Sequence, residues 1–403
     1  MQIPTEADED WRYGRINELE LGRFKPTVVR GGEFPSDLGP DALLSGLDSP
    51  AMVVRTLDGV VVSSRMEERE GRNGIRCLPL SDLEGPPVRF GSILEPAGDA
   101  FSLLAESFFQ DAVVVEVAPG WRVDAPIVVI HEITEGDSRR AVFPRTFISL
   151  AEGARATVVE HLVSTGGSPL VCPIVELDVG RGAQLAYLSV QELDRSAWQL
   201  GYLVSAVQRD AELLSFTAAL GGDYARLNTS STLDGENSSS ELLAAYLADG
   251  HQVQDMRTFQ QHAAPRTRSN LIFKGAVDDD ARSVYSGLIH IHKGARKSDA
   301  AQTNRNLVLS ENAHADSVPN LDIEENDVRC SHASAVGPID REQRYYVESR
   351  GVPPPVAERL ILLGFFEDLL LRAPEPGVAK YLRGVVAQRL EATKTAASFG
   401  TSR

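Results

Sequence analysis

From Val113 onward the chain is a succession of short β-prone runs: "AVVVEV", "APIVVIHEI", "RTFISL", "ATVVEHLV", "PIVELDV", "QLAYLSV" and "LLSFTAAL". Each is cut by a corner of similar form. "EGARA" surrounds Gly153, "RGAQL" Gly182 and "RDAEL" Asp210; "DDARS", "KGARK" and "ENAHA" follow near Asp280, Gly294 and Asn312. The first three corners are about 28 residues apart and the later ones roughly half that, a period that marks stacked architectures. A single coil of this length cannot bury its own apolar face. Stacking on its neighbours supplies the core, and a small residue at each corner lets the chain turn. The pattern favours a mainly β chain built as a β-solenoid or β-helix over a β-sandwich or jelly roll, which displays the same short strands.

The flanking regions differ. Residues 1–110 read as a mixed, partly helical region ending in "DAFSLLAESFFQ", where Phe101, Leu104 and Phe108 recur at helical spacing. Residues 111–345 are the β core. Residues 346–403 read as a helical domain: "VAERLILLGFFEDLLLR" puts Val356, Leu360, Leu363 and Leu370 on one stripe behind three prolines, and "GVAKYLRGVVAQRLEA" forms a second helix after the "PEPG" break.

A net charge of -17 argues against a phosphate-backbone partner, which needs clustered Lys and Arg. The N-terminus lacks a basic start and an apolar stretch, and no apolar run approaches bilayer-spanning length, so a cytoplasmic protein without a membrane partner is expected. Three scattered cysteines cannot make a disulfide framework. Cys77 and Cys172 read as packing residues.

Catalytic signatures are missing. "HKGARKS" lacks the phosphate-loop spacing, and neither G-x-G-x-x-G, G-x-S-x-G nor H-E-x-x-H occurs, so no catalytic residues are assigned. His290 and His292 in "GLIHIHKG" share one strand face and could ligate a metal, although exposed strand residues are the plainer reading. His161 and His314 read as strand-end residues. Asp278, Asp279 and Asp280 read as a solvated turn ahead of a hard-cation site.

Cys330 and His332, in "DVRCSHASAVG", are harder to set aside. On a strand they point the same way. The alternate set, Arg329, Ser331, Ala333 and Ala335, is mostly small and suits the inside of a coil, which would turn Cys330 and His332 outward. Two ligands make half of a tetrahedral metal site, so the remainder must come from another chain or a small thiol.

The segment Phe273 to Arg350 carries "FKG", "QTNRNLVLS", "PNLDI", "DVRCSH" and "YYVESRG", and with them closely resembles the SufB/SufD family of SUF iron–sulfur cluster assembly subunits, on its SufD side. Weaker similarity reaches "EDWRY", "VAPGWRVDAPIVVIHEI" and "GARATVVEHL". Family members carry a few tens of residues ahead of the Trp-Arg-Tyr stretch, so the N-terminal helical region here should be shorter. The resemblance implies a right-handed parallel β-helix between N- and C-terminal helical regions. It also implies a non-catalytic scaffold that pairs with SufB and docks the SufC ATPase through residues 351 to 395. Cys330 and His332 match the family's Cys-Ser-His, implicated in a transient iron–sulfur cluster shared with SufB; no permanently bound cofactor is implied. "AAQTNRNLVLS" lacks the cysteine of SufB. Pairing of the isolated chain with itself, a purely structural adaptor and a stand-alone β-helix enzyme acting on polysaccharide are the alternatives.

Overall fold

The computed structural model describes residues 3–28, 39–66, 74–94, 99–136 and 139–400. Its body is a parallel β-solenoid of about eight turns, as the repeats and the resemblance both led one to expect. Successive strands alternate between two sheets, twelve-stranded and ten-stranded among the described residues, so that each coil gives one strand to each. The registers are unbroken. In the ten-stranded sheet Leu188 lies beside Phe216, which lies beside Leu243, then Ile272, Thr303 and Ala333. Side chains alternate between lumen and exterior. Leu242, Tyr246, Met256, Leu271, Phe273 and Tyr285 fill the lumen, whereas Leu243, Ala245 and Leu247 point out beneath the C-terminal helices.

The corners explain the repeated pentapeptides. Gly153, Gly182, Asp210, Asn237, Arg266 and Lys297 all have positive φ, between 57° and 69°. Each donates its backbone N–H to a carbonyl of the next coil: Gly153 to Arg181, Gly182 to Arg209, Asp210 to Glu236, and so on to Lys297 and Asp327. The residue after each corner faces inward and is small: Ala154, Ala183, Ala211, Ser238, Thr267 and Ser298 are all buried. Left-handed backbone disfavours a Cβ. Nothing lies within 4 Å of a Cβ added at Gly182, so Gly182→Ala isolates that conformational cost. It is expected to lower the unfolding free energy by about 1 to 2 kcal/mol in urea titration, with the fold unchanged by circular dichroism.

Both outer faces are covered. The twelve-stranded sheet carries the N-terminal segment and helix α1 (Ala100–Phe108), whose Phe101 and Ala105 pack with Trp11, Ile16, Phe147 and Tyr202. Trp11, of the "EDWRY" stretch, is buried. Helix α2 (Arg341–Glu348) follows the last strand, and α3 (Pro354–Leu370) and α4 (Pro376–Gly400) cover the ten-stranded sheet. The buried side of α3 is Ala357, Leu362, Phe366, Leu369 and Leu370. Of the stripe expected from spacing, Leu370 is buried on that side and Leu363 packs partly buried against the same cluster, whereas Leu360 is exposed, because α3 is apolar nearly all round and its periodicity does not single out one face. Lys274 of the "FKG" stretch pins α3 by donating to the Phe365 carbonyl at 2.8 Å and to Asp368 at 2.5 Å. No helix among the described residues is long and apolar enough to cross a membrane.

The two ends of the solenoid differ. At the N-terminal end both sheets finish in antiparallel strands, Val60–Met66 and Ile75–Pro79. At the other end the sheets stop at His314–Ile323 and Arg329–Gly337, each paired along one edge only among the described residues.

Candidate functional site

The lumen changes character as it approaches the open end. Four inward columns can be followed through the last coils of the ten-stranded sheet: Ser269 to Ala300 to Cys330, Leu271 to Gln302 to His332, Phe273 to Asn304 to Ser334, and Gly275 to Asn306 to Val336. Leucine and phenylalanine thus give way to amides within one coil. Asn306 Nδ2 donates to Asn304 Oδ1 at 2.7 Å, Asn304 Nδ2 to Tyr246 Oη at 2.8 Å, and Tyr246 Oη to Asn306 Oδ1 at 2.7 Å, a closed triangle that rigidifies the plug. Gln302 differs. Both polar atoms of its side chain are buried without a hydrogen-bond partner, as are those of Gln260, and leaving such groups unpaired is costly. The sequence carries the signal: residues 302, 304 and 306 are amides at period two, in "QTNRN".

Cys330 and His332 stand directly above this layer. They share one face of the last strand, about 6.6 Å apart along it, as expected. That face, however, is the lumenal one. Register places Cys330 on buried Ala300 and His332 on buried Gln302, and leaves Ser331, Ala333 and Ala335 outside, opposite to the assignment drawn from side-chain size. Among the described residues no further coil closes over this strand, so its inner positions need no apolar bulk and side-chain size does not mark its lumenal face. Nearly every residue from Arg329 to Val336 is exposed, His332 included. Cys330 is half-buried against Ile289, Ile291, Ala295 and Ala300. That burial raises its thiol pKa above the ordinary value, with Asp299 adding to the rise against a hydrogen bond from the Ser331 backbone. The free chain therefore holds a thiol here, and a metal or a cationic partner would have to displace its proton. Ser334 Oγ donates to Ser317 Oγ at 2.8 Å, tying the final strands of the two sheets together.

The other candidates separate clearly. Cys77 and Cys172 are fully buried and burial pushes both thiols up, Cys77 to about 12, as packing residues should be. His314 is exposed beside Asp316 at 3.1 Å. Asp279 sits in a left-handed turn and accepts from the Gly250 backbone, Asp278 accepts from the Asp279 backbone, and Asp280 faces His251. The acidic run is thus a turn. His161 is not a strand-end residue: it is buried between Asp41 and Glu192 under α4. His290 and His292 lie together on the outer face of the twelve-stranded sheet, where Glu324 from the following coil joins them.

Comparisons with known proteins agree with this architecture. Residues 132–365 match the family model described as the SUF system FeS cluster assembly, SufBD core domain. The chain is 31% identical over 392 residues to the iron–sulfur cluster assembly protein SufD of Escherichia coli, covering 96% of this chain and 89% of that one. An iron–sulfur cluster assembly SufBD family protein of Mycobacterium tuberculosis is 32% identical, over 74% of this chain and 76% of its own. SufD of Bacillus subtilis is 27% identical, over 77% and 76%. A family model spanning more than half of the chain, together with a relative 31% identical over most of both chains, carries the conclusion: the chain belongs to the SufBD family of SUF-system iron–sulfur cluster assembly proteins, as a SufD-type member.

Proposed function

We propose that this chain is a non-catalytic, cytoplasmic scaffold subunit of a SUF assembly complex, whose open solenoid end receives SufB and whose C-terminal helices dock the SufC ATPase. The observation that carries this reading is the pair of one-sided terminal strands, His314–Ile323 and Arg329–Gly337, at the end where Cys330 and His332 stand. A free strand edge presents a row of N–H and C=O groups, and strand addition by a second chain satisfies it. Pairing there would cover the unsatisfied mouth of the lumen and bring partner side chains to Cys330 and His332. Those two residues then supply two ligands to a transient iron–sulfur cluster, the cargo of the complex, with the others from SufB. The exposed Tyr345, Tyr346, Leu360 and Leu371 on the helical side support a docking role for that face.

A second reading has an observation of its own. Cys330 packs on Ala300 with its thiol pKa raised, which suits a structural adaptor that shapes SufB without holding the cluster. Coexpression with the partner subunits separates the two readings. Cys330→Ser is expected to lower the iron and acid-labile sulfide recovered with the complex by about tenfold while leaving its subunit composition intact. Unchanged recovery in an intact complex would favour the adaptor.

A further inference from the structure

His290 and His292 are absorbed neither by the solenoid core nor by the open end. His290 near the end of the strand Arg282–Ile291 and His292 just past it project from the outer wall with ring centroids 4.0 Å apart. The coil above answers them. Asp322 is the register partner of His290, and Glu324 continues the same outward column above His292, with its backbone N–H bonded to the Ile291 carbonyl. Each imidazole therefore has a carboxylate stacked over it.

The arrangement is held in place from several sides. The Phe259 ring, one coil below, stacks on His290 with an interplanar angle of 25°. Gln261 Oε1 lies 3.4 Å from His292 Nε2. The Lys293 backbone N–H donates to Glu324 Oε2 at 3.3 Å, while Oε1 lies 3.9 Å from His290 Nε2. Asp322 Oδ2 lies 3.8 Å from the same nitrogen. Neither carboxylate is close enough to hydrogen-bond it, and His290 Nε2 is buried with no hydrogen-bond partner. A buried acceptor or donor left open between two carboxylates and a second imidazole has the chemistry of an unfilled coordination position.

We propose that His290, His292 and Glu324, with Asp322 beside them, form a binding site for a divalent transition ion of the zinc(II) or iron(II) class. One donor atom from each of His290, His292 and Glu324 already lies within 4.8 Å of the other two. Metal–ligand bonds of about 2.0 to 2.1 Å place tetrahedral donors about 3.3 Å apart, so side-chain rotations of roughly an ångström close the site. Two imidazoles with carboxylate favour zinc(II) or iron(II) over calcium or magnesium, which prefer all-oxygen ligands. The site shares no ligand with Cys330 and His332 and faces outward, so it does not depend on the cluster-scaffold reading. A bound ion would join adjacent coils near the open end and stiffen it without belonging to the cluster.

Competition against a chromophoric zinc chelator, on the purified full chain with Zn2+ and, without oxygen, with Fe2+, tests this. One ion per chain is expected, insensitive to millimolar Mg2+ or Ca2+, with a higher melting temperature in its presence. His292→Asn and Glu324→Gln, both changes to partly or fully exposed side chains, are expected to weaken binding at least about a hundredfold while the metal-free melting temperature stays put. The double variant Cys330→Ser with His332→Ala should keep the affinity, and X-ray absorption should show nitrogen and oxygen ligands without sulfur. Full affinity in His292→Asn and Glu324→Gln, no binding at micromolar Zn2+, or sulfur ligation that vanishes with Cys330 would each overturn the proposal.

Discussion

Replacing Arg226 by alanine is expected to lower the unfolding free energy by about 3 to 5 kcal/mol, the usual cost of orphaning one partner of a buried ion pair. Arg226 is fully buried on the outer face of the twelve-stranded sheet, beside its register partner Asp255. Its Nη1 donates to Asp255 Oδ2 at 3.0 Å, its Nη2 to the Asp10 carbonyl at 2.7 Å, and its guanidinium lies 3.9 Å from the centre of the Trp11 ring. Asp255 also accepts from Tyr224 Oη at 2.7 Å and from Arg257 Nε at 2.6 Å, and Arg257 reaches the Arg12 carbonyl. Burial alone would raise the Asp255 carboxyl; the two guanidiniums and the Tyr224 bond outweigh it and hold it below its ordinary value. The associated stability is present in full above the unfolded pKa of about 4 and is lost as pH falls through the lower folded value. Urea titration measures the loss. Hydrogen exchange adds a local readout, because residues 10–16 should lose protection before the coils do. The triple variant Arg226→Met, Asp255→Leu and Arg257→Met should recover much of the stability, since it removes the carboxylate together with both guanidiniums that face it. A loss under 1 kcal/mol in Arg226→Ala would mean that the N-terminal segment is not held by this pair.

His161 is expected to give the fold an alkaline limit. Its Nδ1 lies 2.7 Å from Asp41 Oδ2 and its Nε2 3.0 Å from Glu192 Oε2, which also accepts from Tyr381 Oη of α4 at 2.6 Å. Burial works against the charged ring, but the hydrogen bonds and charges of Asp41 and Glu192 prevail and raise its pKa to about 9. The imidazolium thus ties the loop at Asp41, the strand Arg155–Ser164, the strand Gln184–Glu192 and α4 together. A folded pKa above the unfolded value of about 6.5 stabilises fully below pH 6.5, and that stability disappears as pH rises through about 9. A shift of this size corresponds to at most about 3 kcal/mol. The urea midpoint should therefore fall between pH 7 and pH 10, with α4 losing exchange protection first. His161→Gln should be less stable at pH 7 and should lose that alkaline slope. A midpoint in the native chain that stays level to pH 10 would show that the ring is neutral.

Local chemistry explains why so much of the architecture could be read in advance. A left-handed corner followed by a small inward residue is a short-range demand, met by Gly153-Ala154, Gly182-Ala183 and Asp210-Ala211, and it repeats because each coil needs it. Period-two alternation within each run then sorts side chains to lumen or exterior wherever one side is apolar. On the last strand both sides are polar or small, so the alternation carries no such information and does not reveal that Cys330 faces the lumen. On α3 apolar residues recur on nearly every side, so spacing alone does not separate Leu363 and Leu370, which pack on the core, from exposed Leu360.

By itself, then, the sequence determined the coil, its corners, its helical flanks and, through its resemblance, its family. Only the tertiary structure decided which coil lies on which. Glu324 stands above His292 through the stacking of adjacent coils, whereas Asp41 against His161 and Asp10 against Arg226 meet because the N-terminal segments lie across the outer faces of the finished sheets; the partners are 32, 120 and 216 residues apart. Pairings of this kind need the stacked coils to be in place, and no window of local periodicity contains both partners.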